Sequence, residues 1–205
     1  MIVRPSIIVG DSSTGRVAAY QGLHDVVGSM VDRSLPVLPA TPGMLCDFVA
    51  QDWVTGAIWG AAFHPRPAQE IWVTSGTRAL SVEACVAVAV RIGNEHGFQG
   101  AAPRIVPYDT LQRLFIPVFL ESLPSHLKRR FQANLKLARY MNQKAALPSS
   151  EAYLRNAFGL PERETTETVL VRNMERWCAD RSMPRLRSRR SHDGIAAGFP
   201  ATGAA

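Results

Sequence analysis

In the first part of the chain, some stretches have the hydrophobic pattern of strands and others have apolar residues at the three- and four-residue steps of helices. This predicts strands alternating with helices. Residues 7–9 form a β-branched run, residues 11–15 supply turn-forming side chains, and residues 16–23 resume as a second strand. A β-hairpin is therefore predicted at this point. Residues 24–43 are predicted to form a loop, because the three prolines in their second half cannot donate to a strand ladder.

The clearest helical pattern lies in "SVEACVAVAVRIGNEHGF", where apolar residues recur at three- and four-residue steps. Ser81 can cap the first turn of this helix, and Gly97 can end it. Similar spacing predicts a short helix over residues 43–52, while "EIWVTSG" and "APRIVPY" are typical of strands and "DTLQRLF" of a short helix. The order β-β-α-β-α-β-α predicts an α/β (α+β) fold, with a mixed central sheet flanked by helices.

Helical patterns dominate after residue 117. Three amphipathic segments follow: "SHLKRRFQANLKLARYMNQK", "SSEAYLRNAFG" and "ERETTETVLVRNMERWCADR". The end of the chain is rich in Arg, Gly and Ala and has no periodicity, which predicts disorder. The sequence therefore divides into an α/β domain over residues 1–117, a helical basic region over residues 118–183 and a tail over residues 184–205.

Positive charge is concentrated in the second half of the chain. Residues 1–120 carry 8 Arg and 9 acidic side chains, whereas residues 121–205 carry 15 Lys and Arg against 8 acids. A cluster of basic side chains without acids is expected to bind an anionic partner, of which nucleic-acid phosphate is the most common. The candidate nucleic-acid-binding residues lie on the first basic helix: Lys128, Arg129, Arg130, Lys136 and Arg139. A solvated basic surface is the alternative interpretation.

Several classes of site have no signal in the sequence. Cys46, Cys85 and Cys178 are far apart and belong to no Cys/His cluster, so neither a metal site nor a disulfide framework is predicted. The glycines form no Gly-x-Gly-x-x-Gly or Walker pattern, so no phosphate cradle is indicated. No apolar stretch approaches the ~20 residues that span a bilayer, and a cytoplasmic protein is expected.

Three stretches of the first half resemble the acyl-homoserine-lactone synthases, which make bacterial autoinducers for quorum sensing. They are "VGDSSTGRVAAYQGL", "LPVLPATPGMLCDF" and "EIWVTSGTRA", followed by "EHGF" and "IVPYDTLQRL" in the family's order. The resemblance covers about residues 5–115 and implies an N-acetyltransferase-like fold. It also implies that the proline-rich stretch borders a substrate cleft. The substrate-binding residues expected from it are Met44, Leu45, Phe48 and Trp72.

The catalytic positions of that family are altered in this chain. Val73 and Gly76 stand where the family carries a glutamate and an arginine, and Ser75 alone fits its position. Glu70 and Arg78 are close enough in sequence to be candidate replacements. Acyl transfer to an amine needs a general base, and losing one typically costs ~10²- to 10⁴-fold in rate. The resemblance therefore implies catalytic residues Glu70, Ser75 and Arg78 in an acyltransferase with impaired or altered activity.

The sequence predicts two alternative functions. The first is an autoinducer-synthase-like signalling protein for which no cofactor is expected. S-adenosylmethionine and an acyl-carrier-protein donor would apply only if synthase activity is kept, with acyl-carrier protein as partner. The alternative is a regulatory protein that binds nucleic acid through its basic C-terminal helices. No metal is expected in either case.

Overall fold

The computed structural model describes residues 1–64, 68–111 and 144–181, together with Arg113, Lys128 and Gln132. The strands are β1 (Ile2–Pro5), β2 (Ile7–Val9), β3 (Val37–Pro39), β4 (Leu45–Cys46), β5 (Phe48–Ala50), β6 (Glu70–Val73), β7 (Leu80–Ser81) and β8 (Arg104–Val106). The helices are α1 (Leu23–Val31), α2 (Gln51–Phe63), α3 (Val82–Glu95), α4 (Tyr108–Thr110), α5 (Glu151–Phe158) and α6 (Thr166–Asp180). A 3₁₀ turn at Gly76–Arg78 joins β6 to β7.

The strands form two-stranded pairs, most of them parallel. β1 pairs with β6, β2 with β5 and β3 with β8 in parallel, and β4 pairs with β7 antiparallel. β1 and β2 are consecutive parts of one extended segment. Ser6 donates its N–H to the Val73 carbonyl at 3.1 Å, and Ile7 donates to the Asp47 carbonyl at 3.4 Å. Successive N–H groups of a strand point to opposite edges, so β6 and β5 lie on opposite edges of this segment.

The larger hydrophobic core joins the two halves of the chain. α1, α3 and α6 pack against one another. The buried residues of α6, including Leu170, Met174 and Trp177, share a cluster with Val9 of β2 and Phe48 of β5. Gly28 of α1 lies so close to the Trp177 ring that a Cβ there would meet Trp177 Cζ2 at 2.4 Å. Helix α6 is thus a core element of the first half rather than an appendage.

A smaller core lies between α2, the β1–β6 pair and α5. Val54 and Ala57 of α2 are buried against Ile71 of β6. Gly56 and Gly60 of the same helix admit the Leu160 and Phe158 side chains, because a Cβ at either glycine would come within 2.5 Å of them. The two halves of the chain are therefore in contact at this second core as well.

Several elements are confirmed by the structure. The helix predicted from residue 81 is α3, and the Ser81 hydroxyl accepts the Ala84 N–H at 3.1 Å as its cap. "EIWVTSG" and "APRIVPY" contain β6 and β8, and the later helical patterns contain α5 and α6. Gly159 ends α5 with φ of 68°, a backbone conformation that glycine adopts without strain.

Three local predictions were wrong. Residues 16–22 contain no strand, because β2 pairs in parallel with β5 rather than forming a hairpin. The helix predicted over residues 43–52 is two short strands, and α2 begins only at Gln51. "FVA" is buried throughout, as in strands covered on both faces, and such runs carry no alternation to distinguish them from helix. The stretch predicted as loop over residues 24–43 contains most of α1 and all of β3.

The mixed α/β class is confirmed, since short, mostly parallel strand pairs are packed among helices. The division into domains at residues 117 and 183 remains a prediction, although α5 and α6 both pack on elements of the first half. Residues 184–205 lie outside the described residues. The candidate nucleic-acid-binding residues Arg129, Arg130, Lys136 and Arg139 also lie outside them, and Lys128 is half-buried in a helical conformation.

Candidate functional site

A buried carboxylate joins the end of β6 to the start of β5. Asp47 directly precedes β5, and its two oxygens accept the N–H groups of Ser75 at 2.7 Å and Gly76 at 2.9 Å. Gly76 has φ of 56°, a left-handed backbone conformation that glycine adopts without strain. The Ser75 hydroxyl donates to the Phe48 carbonyl at 2.6 Å. Asp47 thereby fixes the loop that leaves the parallel β1–β6 pair.

Arg163 covers this loop with a side chain that is 7% exposed. It donates to the Thr74 carbonyl at 2.7 Å and to the Ser75 hydroxyl at 2.9 Å. It also lies 5.3 Å from the centre of the Trp53 ring. Burial lowers the pKa of Arg163, but the charge of Glu151 opposes this effect and a guanidinium stays protonated in proteins. The site therefore contains a fixed, partly desolvated positive charge.

The loop after β2 is organised by a second carboxylate. Asp11 accepts from the backbone N–H groups and the hydroxyls of both Ser13 and Thr14, at 2.7 to 3.0 Å. These bonds, led by the Ser13 hydroxyl, lower the pKa of Asp11 from 3.8 to about 2. Asp52, in the first turn of α2, accepts from the N–H and the hydroxyl of Ser12 at 2.8 and 2.7 Å. The loop is thus tied to the helix that follows β5.

Asn173 secures the end of β2 from the side of α6. Its side chain is completely buried. Its Oδ1 accepts the Gly10 N–H at 2.7 Å and lies 3.1 Å from Nε2 of the buried His24, while its amide donates to the Val169 carbonyl at 2.9 Å. One amide on α6 therefore contacts polar groups of two other segments and a carbonyl of its own helix, which explains why a polar side chain is tolerated in the core.

A small cleft lies where these loops meet. Its interior volume is about 10 Å³, room for about one water molecule, and its polar wall contains Ser12, Arg163, Glu164 and Thr166. Phe48 to Ala50 and Trp53 form its apolar wall. Ligands of open α/β sheets bind outside the carboxyl ends of the strands, and Ser12 follows such an end. This cleft is the candidate site.

Several backbone N–H groups that follow β2 and β6 are hydrogen-bonded to the chain's own carboxylates. Asp47 occupies those of Ser75 and Gly76, and Asp11 those of Ser13 and Thr14. The α2 N-terminus follows β5 without an intervening loop and carries Asp52 in its first turn. A phosphate placed there would meet a negative side chain. The loops after β2 and β6 therefore have these N–H groups already occupied and do not present them to a phosphate.

The candidate catalytic residues do not converge in the structure. Ser75 lies in the Asp47 loop and is buried. Glu70, at the other end of β6, forms an ion pair with Arg4. Arg78 forms an ion pair with Glu151 across the surface. The structure thus places Ser75 alone next to the candidate site, where it contacts the lining residue Arg163, and the catalytic roles of all three remain predictions.

The candidate substrate-binding residues also lie in different parts of the structure. Phe48 is buried in the wall of the cleft. Met44 is buried in the larger core, and Leu45 is half-buried in β4. Trp72 is half-buried on β6, where the Arg4 guanidinium lies 5.4 Å from the centre of its ring. Their roles in binding substrate also remain predictions.

Sequence reasoning missed Asp47, Arg163 and Asn173. Asp47 was detectable, since it is the one charge in the apolar run "MLCDFVA" and a buried charge must have partners. Arg163 and Asn173 gave no such signal, because each lies in a polar stretch and meets its partners only through long-range folding. Among the described residues no cluster of three His, Cys, Asp or Glu side chains could hold a metal ion. No helix of this part has the length and apolarity needed to cross a bilayer.

Comparisons with known proteins found a matching family model and a similar solved structure. Residues 1–58 match the family model NAD_binding_4, described as "Male sterility protein". The terminal R domain from the myxalamid PKS-NRPS biosynthetic pathway is similar to 88% of this chain, with a TM-score of 0.61 and 16% identity. The chain spans 44% of that R-domain chain. No curated protein matches the chain in sequence.

These findings correct the family predicted from the sequence. The resemblance to acyl-homoserine-lactone synthases was wrong, and with it the acyltransferase, quorum-sensing and N-acetyltransferase-like predictions. The cofactor prediction was wrong too, because the matching model is named for NAD binding rather than for S-adenosylmethionine or an acyl-carrier donor. Neither comparison supports the nucleic-acid alternative. Over most of its length the chain has the mixed α/β fold of the R domain.

Proposed function

We propose that this chain is part of an NAD(P)-dependent reductase-type domain with a Rossmann-type sheet. Its role there is to form the wall on which the substrate lies. The observation that carries the proposal is the agreement of two comparisons on the same elements. The NAD_binding_4 match covers β1 to the first half of α2, and the R-domain likeness extends across both cores.

The geometry of the cleft supports a role in positioning. Asp47, Asn173 and Asp52 fix the loops around it through hydrogen bonds within the chain. The Arg163 guanidinium supplies a rigid positive charge beside the apolar wall formed by Phe48 and Trp53. Such a wall suits an acyl substrate whose carbonyl oxygen gains negative charge during reduction, because a preorganised cation stabilises developing charge.

The substrate class follows from the R-domain likeness. That domain is the terminal R domain from a PKS-NRPS biosynthetic pathway. We therefore propose a carrier-linked acyl group as substrate and a carrier protein as partner. The dinucleotide phosphates do not fit the loops after β2 and β6, since N–H groups of these loops already bind Asp11 and Asp47. No step of the reaction is assigned to this chain beyond binding and positioning of the acyl group.

The test is an assay of the protein purified under mild conditions from the cells that make it. Consumption of NADPH or NADH is followed at 340 nm with an acyl-coenzyme A thioester, and with the matching free acid as control. We expect consumption that depends on the thioester. The Arg163→Gln variant should lower kcat, and Lys144→Gln, at an exposed position, should not. Equal dinucleotide consumption with thioester and free acid, or none with either, would contradict the proposed function.

A further inference from the structure

Two of the three cysteines lie in contact with each other inside the larger core. Cys46 is the last residue of β4, Cys85 lies near the start of α3, and both side chains are buried. The Cys85 thiol donates a hydrogen bond to Cys46. Neither thiol belongs to a disulfide, and the proposed function uses neither. The chain therefore holds two adjacent nucleophilic groups whose role is open.

The backbone around the two thiols is fixed at several points. β4 pairs with β7, and β7 leads directly into α3. The Val82 N–H donates to the Met44 carbonyl at 2.8 Å. Glu83, the next residue of α3, accepts the Gly43 N–H at 2.9 Å. These bonds hold β4 against the first turn of α3, so the contact between the thiols is a consequence of the fold.

The contact favours oxidation of the pair by a small oxidant. The hydrogen bond from Cys85 lowers the pKa of Cys46, although burial opposes this effect, and the thiolate is the reactive form of cysteine. Small solutes can reach Cys46 through local opening of β4, which is two residues long and contains the half-buried Leu45. The sulfur atoms must then approach from hydrogen-bond contact to the roughly 2.05 Å of a disulfide.

Cys46 is directly followed by Asp47, whose carboxylate holds the loop after β6. The N–H groups of Ser75 and Gly76 bind this carboxylate at 2.7 and 2.9 Å, and Ser75 contacts Arg163 of the cleft. A shift of Cys46 toward α3 moves the carboxylate as well, because the two residues share a peptide unit. Hydrogen bonds weaken as their geometry departs from the ideal, so this shift loosens the loop.

We propose that Cys46 and Cys85 are an oxidisable dithiol, which forms a disulfide when it reacts with a peroxide and thereby loosens the loop after β6. The Cys46 thiolate attacks one peroxide oxygen and the O–O bond breaks. That oxygen stays on sulfur as a sulfenic acid, and the other leaves as hydroxide and takes up the proton that the thiol released. The Cys85 thiol then attacks the sulfenic sulfur, which forms the S–S bond and releases water. Two thiols thus lose two protons and two electrons, and hydrogen peroxide is reduced to two waters.

Mass spectrometry of the protein from cells treated with hydrogen peroxide tests the disulfide. The protein is alkylated in denaturant and digested with trypsin, which places the three cysteines in separate peptides, residues 34–78, 79–91 and 177–181. We expect the first two peptides to be joined, with a mass two hydrogen atoms below their sum, and to separate with dithiothreitol. Unreacted thiols, separate sulfinic or sulfonic acids, or a disulfide between two chains would overturn the proposal.

Cys178 provides the matched control, because it is buried but lies far from Cys85. α3 and α6 run in the same direction, and their ion pairs follow the same order along both helices: Arg91–Glu167 and His96–Glu175. Cys85 precedes these contacts and Cys178 follows them. Cys178→Ala should therefore leave the yield of joined peptides unchanged, whereas Cys46→Ala should abolish it. A disulfide that includes Cys178 would contradict the pairing.

Amide NMR signals of the full chain test the effect on the loop. We expect the Ser75 and Gly76 N–H signals to move upfield on oxidation, because their hydrogen bonds lengthen, and to return with dithiothreitol. The N–H groups of Ser13 and Thr14 bind a different carboxylate, Asp11, and their signals should stay unchanged. A disulfide that leaves Ser75 and Gly76 unchanged, or moves all four signals equally, would overturn the loosening. Both measurements omit substrate and dinucleotide, so their outcome is independent of the proposed reductase function.

Discussion

Asp47 connects segments that are far apart in sequence, and its position shows how a single carboxylate can organise the candidate site. It lies between β4 and β5, and its oxygens accept the N–H groups of Ser75 and Gly76. Ser75 in turn contacts Arg163, which comes from the segment between α5 and α6. Because all these groups are buried, each depends on the others for its hydrogen bonds.

Asp47→Ala should lower the free energy of unfolding by about 3 kcal/mol, because two buried N–H groups lose their acceptor. Urea unfolding at pH 7 measures the change. Asp25→Ala is the matched control, since its carboxylate is exposed in the first turn of α1, where a favourable charge is worth less than about 1 kcal/mol. Equal losses in the two variants would mean that the Asp47 carboxylate is not what holds the loop.

Asp11→Asn tests the low pKa of the loop after β2. The pKa of Asp11 is about 2 in the folded chain against an ordinary value of 3.8, so the folded state favours the ionised form. Its contribution is fully present above about pH 4 and is lost as the pH falls toward 2. The carboxylate is largely solvated, so we expect less than about 1 kcal/mol. The difference in unfolding free energy between the native chain and Asp11→Asn should shrink between pH 5 and pH 2; a constant difference would contradict the assignment.

What the sequence reveals about single residues depends on the distance to their partners. Ser81 caps α3 by accepting the N–H of Ala84, three residues away, and such a local hydrogen bond can be predicted from the sequence. The partners of Asn173 lie up to 163 residues away, and no local pattern encodes them. The same holds for Arg163, whose contacts were not predicted because they form only when β6 and the α5–α6 segment meet.

At the scale of secondary-structure elements, the positions of glycines determine how closely two helices approach each other. α1 contacts α6 at Gly28, where the indole of Trp177 occupies the space of a side chain. The guanidinium of Arg181 lies 4.0 Å from the centre of the same ring. The ring therefore contacts the α1 backbone at Gly28, and its size limits how closely α1 and α6 approach each other.

Gly28→Ala should destabilise the fold by about 2 kcal/mol, even though alanine favours helix by up to about 1 kcal/mol. The added Cβ would meet Trp177 Cζ2 at 2.4 Å and Cε2 at 2.6 Å, and the helices would have to separate. Thermal unfolding of Gly28→Ala, Trp177→Phe and the double variant measures the coupling. We expect the smaller ring to recover part of the loss in the double variant. Simple additivity of the two losses would show that the contact is not responsible.

Elements with a complete local signal were predicted, and those defined by pairing were not. α3 has a cap, a periodic apolar face and a terminal glycine, so its bounds followed from the sequence. β2 and β5 are three residues each and owe their direction to each other, so the parallel pairing was invisible and a hairpin was predicted instead. The incorrectly predicted hairpin contributed to the incorrect family prediction, because it lay in the first stretch on which the resemblance to acyl-homoserine-lactone synthases was based.

At the scale of the whole molecule, the two hydrophobic cores share strand segments and draw on both halves of the sequence. The larger core contains α6 together with β2, and the smaller core contains α5 residue Leu154 together with β6. Phe48 and Val49 are neighbours in β5 but belong to different cores, so this strand joins them. Loss of either later helix therefore exposes apolar surface of the first half.

This arrangement predicts a single cooperative unfolding transition. Tryptophan fluorescence follows both cores, because Trp177 lies in the larger and Trp53 in the smaller, and far-UV circular dichroism follows all helices. We expect coincident urea midpoints from the two measurements, as in a two-state domain. Trp177→Ala should shift both midpoints together, by a loss of about 3–5 kcal/mol. Two separate transitions, or a shift confined to one probe, would instead support the predicted boundary at residue 117, because a helical region that folds alone would not transmit the loss to the β1–β6 core.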